Sequence, residues 1–164
     1  MHGSDQNLPA EEAALEPVNA TLQLLRAGTR RFAVFTDEIA VIGAWREPTP
    51  LPRAPKAVLG VVGLQGRMLT VLDLAQLSPQ ANDQLASPAE YLVALRGDEQ
   101  LALAVTAVSE TIELSTTELA ALQPSDVGFT LGVLVRNGDQ IFIVNTKELF
   151  ATALQGRERR DRRF

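Results

Sequence analysis

The stretch that most constrains the fold runs from Gly60 to Leu74 and reads GVVGLQGRMLTVLDL. It contains two short apolar runs, which the polar and glycine residues Gln65-Gly66-Arg67 separate. Apolar runs of this length, bounded by glycines, are typical of strands that are buried on both faces. The stretch therefore predicts two buried strands joined by a tight turn, with its glycines at bends or close backbone contacts.

The residues before this stretch predict three more strands, at 21–25, 31–35 and 39–45, and the first two form a hairpin around Gly28. The segment Pro48 to Pro55 contains four prolines, none of which can donate a ladder hydrogen bond. It is therefore predicted to be an extended connection, followed by a helical turn at 57–59.

A loop is predicted from Leu77 to Pro88, because turn and breaker residues dominate it. It divides the chain into two halves, and the second half repeats the pattern of the first. Strands are predicted at 91–95, 101–108 and 111–114. Ser115 to Glu118 then provides a capping signal before one helical turn at 119–122.

The clearest local signal is Asn137-Gly138, which lies between apolar runs at 129–135 and 140–144. Asn-Gly readily adopts the two positive φ angles of a type I′ turn, so these runs are predicted to form a hairpin. Thr146 is predicted to cap a C-terminal helix that Gly156 ends.

Composition excludes several classes of function. The chain has no cysteine and one histidine, His2, so a Ser-His or Cys-His nucleophile is not available in the fold. No metal-ligand spacing is present. The net charge of −5 and the aromatic content of 5% disfavour a nucleic-acid surface. No apolar run is long enough for a membrane helix, and no secretory signal is recognisable.

Ten or so short strands with few helices favour small β-barrels or a sandwich. The segment from Pro48 to Leu74 also resembles the signature of the CheW-like family, the coupling proteins of bacterial chemotaxis. The resemblance covers about residues 20–150 and depends on the spacing of many positions. They are Leu51, Pro52, Pro55, Val58, Gly60, Val61, Leu64, Gly66, Val71, Asp73 and Leu74.

The resemblance implies a mainly β fold of two small five-stranded SH3-like barrels packed together, with a short C-terminal helix. The expected organisation is a disordered or loosely ordered lead at 1–18, a CheW-like domain at 19–156 and an Arg-rich tail at 157–164. Within the domain we expect a first barrel at about 19–77, a second at about 89–145 and the helix at about 146–155. The expected structural signature comprises Pro52, Pro55, Gly60, Gly63, Asp73, Asn137 and Gly138.

By the same resemblance, the protein is expected to be a cytoplasmic, non-catalytic adaptor. Its expected partners are the regulatory domain of a histidine kinase and the cytoplasmic tip of a chemoreceptor. We expect no cofactor, metal, small-molecule substrate, nucleic acid or membrane insertion. The expected partner-contact residues are Val41, Gln65, Gly66 and Arg67.

Four polar positions differ from the family pattern. Gln65 replaces the usual arginine and Val41 the usual glutamate, while Thr70 and Thr106 replace a proline and an aspartate. Glutamine cannot make the bidentate bonds of arginine, so we hypothesise that the fold is kept and the interface weakened or retargeted. Two alternatives remain: a CheW-like module in another signalling complex, and an SH3-like RNA-binding protein that uses the Arg-rich tail.

Overall fold

The computed structural model describes residues 19–77 and 88–154. The predicted lead, the centre of the predicted loop and the Arg-rich tail lie outside these residues. The strands are β1 Ala20–Ala27, β2 Arg30–Phe35, β3 Ile39–Ala44, β4 Val58–Leu64, β5 Arg67–Asp73, β6 Tyr91–Leu95, β7 Leu101–Val105, β8 Ala107–Leu114, β9 Thr130–Arg136 and β10 Asp139–Val144. Helical segments are the 3₁₀ turns Thr36–Glu38 and Thr146–Glu148, the α-helix Thr116–Ala120 and a helical run at 149–154.

The strands form two five-stranded SH3-like barrels, as expected. The terminal barrel has the strand order β8-β1-β2-β10-β9 and draws on both ends of the described chain. The central barrel has the order β3-β6-β7-β5-β4. Each barrel contains one parallel pair, β10 with β2 and β5 with β7, and its other pairs are antiparallel.

The two halves of the chain are interleaved rather than folded separately. Each half provides a hairpin, β1–β2 or β6–β7, and then three further strands, β3–β5 or β8–β10. Each barrel combines the hairpin of one half with the three strands of the other. The predicted repetition is therefore present, but the predicted barrels at about 19–77 and 89–145 do not match the strand membership of the sheets. Strand patterns along a sequence do not indicate which strands pair.

The chain passes between barrels where one continuous strand was predicted at 101–108. β7 ends at Val105 and β8 begins at Ala107, with Thr106 between them. The Thr106 N–H and hydroxyl both donate to the Arg26 carbonyl oxygen, at 2.8 and 2.9 Å. These bonds attach the chain to β1 of the other barrel, so the single-strand prediction is wrong.

Two smaller local predictions are also wrong. Residues 58 and 59 belong to β4 rather than to a helical turn. The C-terminal helical segment is capped by Asn145, whose side chain accepts a hydrogen bond from the Lys147 N–H, and not by Thr146. The capping box at Ser115 and Glu118 is present, although its helix begins at Thr116, earlier than predicted.

The largest apolar cluster among the described residues lies where the barrels meet, because it contains side chains from both. Phe32 of the terminal barrel stacks on Phe129 with ring centroids 6.0 Å apart, and Leu72 and Leu103 of the central barrel belong to the same cluster. Burying each such side chain contributes roughly 1.5–3 kcal/mol. Leu149 of the C-terminal helical run is also fully buried in this cluster. The shared core therefore holds the two barrels together.

Each barrel is closed in the same way beside its edge strand. In the central barrel Thr49 pairs with Val61, and the backbone of Thr49 and Pro50 lies against Gly60. In the terminal barrel Gln123 pairs with Val133, next to Gly132. The proline segment is therefore a connection, as predicted, but one of its residues also covers the edge of β4 and leaves fewer backbone groups unpaired.

Candidate functional site: the β4–β5 turn

Three of the four predicted contact residues lie together at the β4–β5 turn. Gln65 and Gly66 have φ angles of 51° and 78°, which are the two left-handed positions of a type I′ turn. Both are exposed, and a Cβ on Gly66 would have no neighbour within 4 Å. Arg67 follows as the first residue of β5 and is half-buried. The turn thus projects from the end of the central barrel into open space.

Close to the turn, β4 and β5 are buried on one face only. Further along β5 both faces are buried, because Val71 and Leu72 are fully buried in different core clusters. The prediction of burial on both faces is therefore confirmed for the end of β5 and wrong beside the turn. Val62 and Leu69 point into the barrel core. Gly63 and Met68 pair across the hairpin on the opposite face, where Met68 is 59% exposed. An exposed methionine beside a glycine provides an adaptable apolar surface next to the turn.

Arg46 also reaches this surface, from the segment after β3. Its Nη1 donates a hydrogen bond to the Gly63 carbonyl oxygen at 2.6 Å, and its side chain is exposed. Trp45, just before it, is half-buried and packs against the core of the central barrel. The inward tryptophan holds this segment against the barrel, so that Arg46 extends along the edge of β4.

Val41, the fourth predicted contact, lies on β3 and is half-buried. Its side chain packs against the core cluster that Leu64 also contacts. Two residues further along β3, a Cβ on Gly43 would lie 3.5 Å from Leu64 Cδ1, so the end of β3 approaches the end of β4. The valine therefore belongs mainly to the barrel wall beneath the turn.

The signature residues Pro52, Pro55 and Asp73 lie at the other end of the β4–β5 hairpin, away from the turn. Pro55 is buried and its carbonyl accepts the Val58 N–H, while Pro52 lies in an exposed turn. The Asp73 N–H donates to the Ala57 carbonyl at 2.8 Å, and the Asp73 carboxylate accepts the Ala75 N–H. The bond to Ala57 attaches the residue before β4 to the end of β5, and the bond to Ala75 orders the turn that follows β5.

Thr70 explains one departure from the family pattern. Its backbone N–H donates to the Gln100 carbonyl oxygen at 2.8 Å, where β5 begins to pair with β7. A proline at this position has no N–H and cannot make this bond. Threonine therefore adds a ladder bond to the central barrel.

The β9–β10 turn is the equivalent feature of the terminal barrel. Asn137 and Gly138 have φ angles of 54° and 82°, as the sequence predicted for a type I′ hairpin. The charged residues beside this turn are paired within the barrel. Arg136 Nη2 lies 3.4 Å from Glu118 Oε2, and Arg31 Nη1 lies 3.0 Å from Asp139 Oδ2.

A second feature lies near the junction of the barrels, a cleft of about 420 Å³ lined by Glu38, Arg96, Asp98, Thr146 and Lys147 among others. Burial raises the pKa of the Glu38 carboxyl above its ordinary value, although a hydrogen bond to Thr146 acts in the opposite direction. The Glu38 side chain is therefore half-buried at this cleft.

The described residues contain no group of three or more His, Cys, Asp or Glu side chains placed to hold a metal ion. Within the same residues, no helix has the length and apolar character needed to cross a membrane.

Sequence reasoning missed two residues of this surface, Arg46 and Met68. Met68 was assigned to a buried run, although alternation in the Arg67–Asp73 strand was the available signal. Nothing in the sequence indicates that Arg46 reaches Gly63, because the contact joins two segments that only the barrel brings together.

Known proteins are similar to this chain over nearly all of the residues that the structure describes. A family model of the CheW-like domain matches residues 21–154. The chain is 30% identical over 133 residues to a chemotaxis protein CheW of Rhizobium meliloti, covering 76% of this chain and 83% of the relative. It is 27% identical over 138 residues to protein FrzA of Myxococcus xanthus, covering 79% and 84%. The crystal structure of the scaffolding protein TtCheW from Thermoanaerobacter tengcongensis has the same fold, with a TM-score of 0.66 at 17% identity, covering 79% and 86% of the two chains.

Proposed function

This chain belongs to the CheW-like domain family, and we propose that it is a non-catalytic adaptor that couples a histidine kinase to chemoreceptors in bacterial chemotaxis. The observation that carries the proposal is the family match, which spans both barrels and includes a relative named as a chemotaxis protein. We propose the regulatory domain of the kinase and the cytoplasmic tip of the receptor as its partners. Such an adaptor would work in the cytoplasm through protein–protein contacts.

The geometry of the β4–β5 turn supports a contact role. Gln65, Gly66 and Arg67 project from the barrel beside an exposed apolar side chain, Met68. Surfaces that combine an apolar centre with polar groups around it are typical of protein–protein interfaces. Val41 contributes from the barrel wall, where a change of side chain would alter the packing beneath the turn.

Isothermal titration against the full-length histidine kinase encoded in the same genome tests the proposal. We expect binding in the micromolar range or tighter. The paired substitution Gln65→Ala with Val41→Ala is then expected to weaken binding, with circular dichroism to show that the fold is kept. A folded protein that binds neither the kinase nor a chemoreceptor fragment would contradict the proposed function.

A second candidate is a CheW-like module that acts in another signalling complex. It is favoured by the uncharged side chains Val41 and Gln65, which occupy positions where the resemblance implies charge. If it is correct, the kinase and receptor will not bind, whereas proteins encoded by neighbouring genes will. Titration of both sets of proteins therefore separates the two candidates.

A further inference from the structure

The two equivalent turns differ in what their arginines contact. Beside the β9–β10 turn, Arg136 and Arg31 each form a surface ion pair with an acidic residue, Glu118 and Asp139 respectively. Beside the β4–β5 turn, neither Arg46 nor Arg67 forms an ion pair within residues 19–77 and 88–154. Glu47, the nearest acidic residue in the chain to Arg46, forms none either. The positive charge at the β4–β5 turn is therefore available to a partner.

Arg46 is held in a geometry suited to binding a carboxylate. One Nη1 donor is used on the Gly63 carbonyl oxygen at 2.6 Å, and the side chain is otherwise exposed. A guanidinium has five N–H donors in a rigid fork, so donors remain for two parallel bonds to a carboxylate. The bond to Gly63 also fixes the side chain before binding, which reduces the entropy that docking would cost.

An apolar contact lies directly beside this cation. Met68 pairs with Gly63 across the hairpin and is 59% exposed. A Cβ at position 63 would lie 3.7 Å from the Met68 sulfur, so the glycine leaves the flank of the methionine uncovered. The Arg46 guanidinium and the Met68 side chain thus lie together at the Gly63–Met68 pair of the hairpin.

We propose that Arg46 is the charged anchor of a docking surface made of Arg46, Gly63, Arg67 and Met68, and that the kinase segment seated there presents a carboxylate beside an apolar side chain. This inference rests on the proposed function, because it takes the kinase as the partner. An acidic segment fits this surface because Arg46 and Arg67 lie together there without an acidic partner among the described residues. The chain as a whole carries a net charge of −5, so it offers no general attraction for such a segment.

The test is titration of the full-length kinase with the wild-type protein and three variants, at low and at physiological ionic strength. Arg46→Gln is expected to weaken binding roughly tenfold or more, because charge-assisted hydrogen bonds to a docked carboxylate are lost. Arg46→Lys should recover only part of this loss, because lysine lacks the rigid fork. Arg136→Gln removes the same charge from the terminal barrel, and as the matched control it should bind like the wild type.

A second readout separates an anchor from a structural role. Arg46→Gln should reduce the salt dependence of binding, since a contact between opposite charges is removed, while its circular dichroism and melting temperature stay near those of the wild type. Met68→Ser should weaken binding without changing the salt dependence.

The outcomes distinguish this inference from the proposed function. If the wild type binds the kinase and Arg46→Gln binds equally well with the same salt dependence, the docking surface is overturned and the adaptor function stands. An equal loss for Arg136→Gln would also overturn it, because net charge alone would explain the effect. If the folded wild type binds neither kinase nor receptor, both the function and the inference are overturned.

Discussion

The β4–β5 and β9–β10 hairpins occupy equivalent places in the two barrels, yet they use different residues. Both turns are type I′ and both follow a strand containing a glycine that touches the preceding segment. Asn137, which has φ 54°, is a residue type that tolerates the left-handed region, whereas Gln65, with φ 51°, is not. The first residue of the β9–β10 turn therefore adopts its backbone conformation at low cost, whereas Gln65 of the β4–β5 turn is strained.

The charges beside the turns show the same contrast. Beside the β9–β10 turn, Arg31 and Arg136 form surface ion pairs with acidic residues of the same protein. Beside the β4–β5 turn, Arg46 and Arg67 have no acidic partner among the described residues. Strained backbone residues cluster at functional sites, and neither the strain nor the unpaired charge adds to stability. The difference supports assigning the partner contact to the central barrel.

The largest expected effect comes from the glycines that allow each barrel to close. An alanine Cβ at Gly60 would overlap the Thr49 carbonyl, whose carbon would lie 2.6 Å away, and φ at this position is 142°. At Gly132 the added Cβ would lie 2.7 Å from Leu122 Cβ and 2.9 Å from the Gln123 oxygen. We expect Gly60→Ala to cost about 3 kcal/mol or more and Gly132→Ala about 2 kcal/mol in urea unfolding.

Gly63→Ala is the control for these glycine variants, since its Cβ would make only ordinary contact at 3.7 Å with a methionine sulfur. Its effect on stability should stay within about 0.5 kcal/mol. Equal stabilities for the three variants would refute the closure that we describe.

Exchanging the turn residues tests the contrast between the hairpins directly. Gln65→Asn should stabilise the protein, because asparagine adopts positive φ at lower cost, and Asn137→Gln should destabilise it for the same reason. Each change is expected to be about 1 kcal/mol in the free energy of unfolding. Shifts of the same sign for both variants would contradict the argument from backbone strain.

The ion pairs beside the β9–β10 turn should contribute little to stability. Arg136 and Glu118 are both substantially exposed, so Arg136→Gln should lower the free energy of unfolding by at most about 0.5 kcal/mol. Arg46→Gln should have a similarly small effect, because it removes one exposed hydrogen bond. A loss well above 1 kcal/mol in thermal unfolding of either variant would mean that the arginine has a structural role.

The smallest expected effect concerns Glu38, which lies between β2 of the terminal barrel and β3 of the central barrel. The chain therefore passes between the barrels here as well as at Thr106. Burial raises the pKa of Glu38 in the folded state, so the folded protein binds this proton more tightly than the unfolded chain. Its contribution to stability is therefore present below the unfolded pKa and is lost as the pH rises through the folded one. At the other passage the chain has Thr106 and Ala107, which do not titrate.

We expect Glu38→Gln to melt at a slightly higher temperature than the wild type at pH 7, with a difference that shrinks toward pH 4. Thermal unfolding monitored by circular dichroism across this range measures the difference. Glu99→Gln, at an exposed position lining the same cleft, is the control and should follow the wild type. A constant difference between Glu38→Gln and the wild type at all pH values would contradict the titration argument.

Much of the local structure could be predicted because short-range chemistry controls it. The Asn137-Gly138 turn and the capping box of Ser115 with Glu118 both formed as their residues indicate. Strand positions were also close, with errors where tertiary contacts intervene. The predicted strand at 101–108 contains the passage between barrels, which hydrogen bonds to Arg26 impose from a distant part of the chain.

The candidate site was predicted in part. Gln65, Gly66 and Arg67 were placed correctly at a tight turn, because glycine and polar residues interrupt an apolar run there. Arg46 could not be identified, since its contact with Gly63 spans two segments that are separated in the sequence and adjacent only in the folded barrel. Their role in binding stays a prediction.

The sequence by itself determined the mainly β character of the fold, the repetition of one pattern in two halves, and the family. These properties depend on periodicity and turn chemistry, which act over a few residues. Only the tertiary structure decided that the halves interleave, so that each barrel takes a hairpin from one half and three strands from the other. It also decided which arginines form ion pairs and which have no acidic partner among the described residues. The physical reason is that strand pairing and charge pairing depend on distances in space, and the same local pattern is compatible with more than one partner.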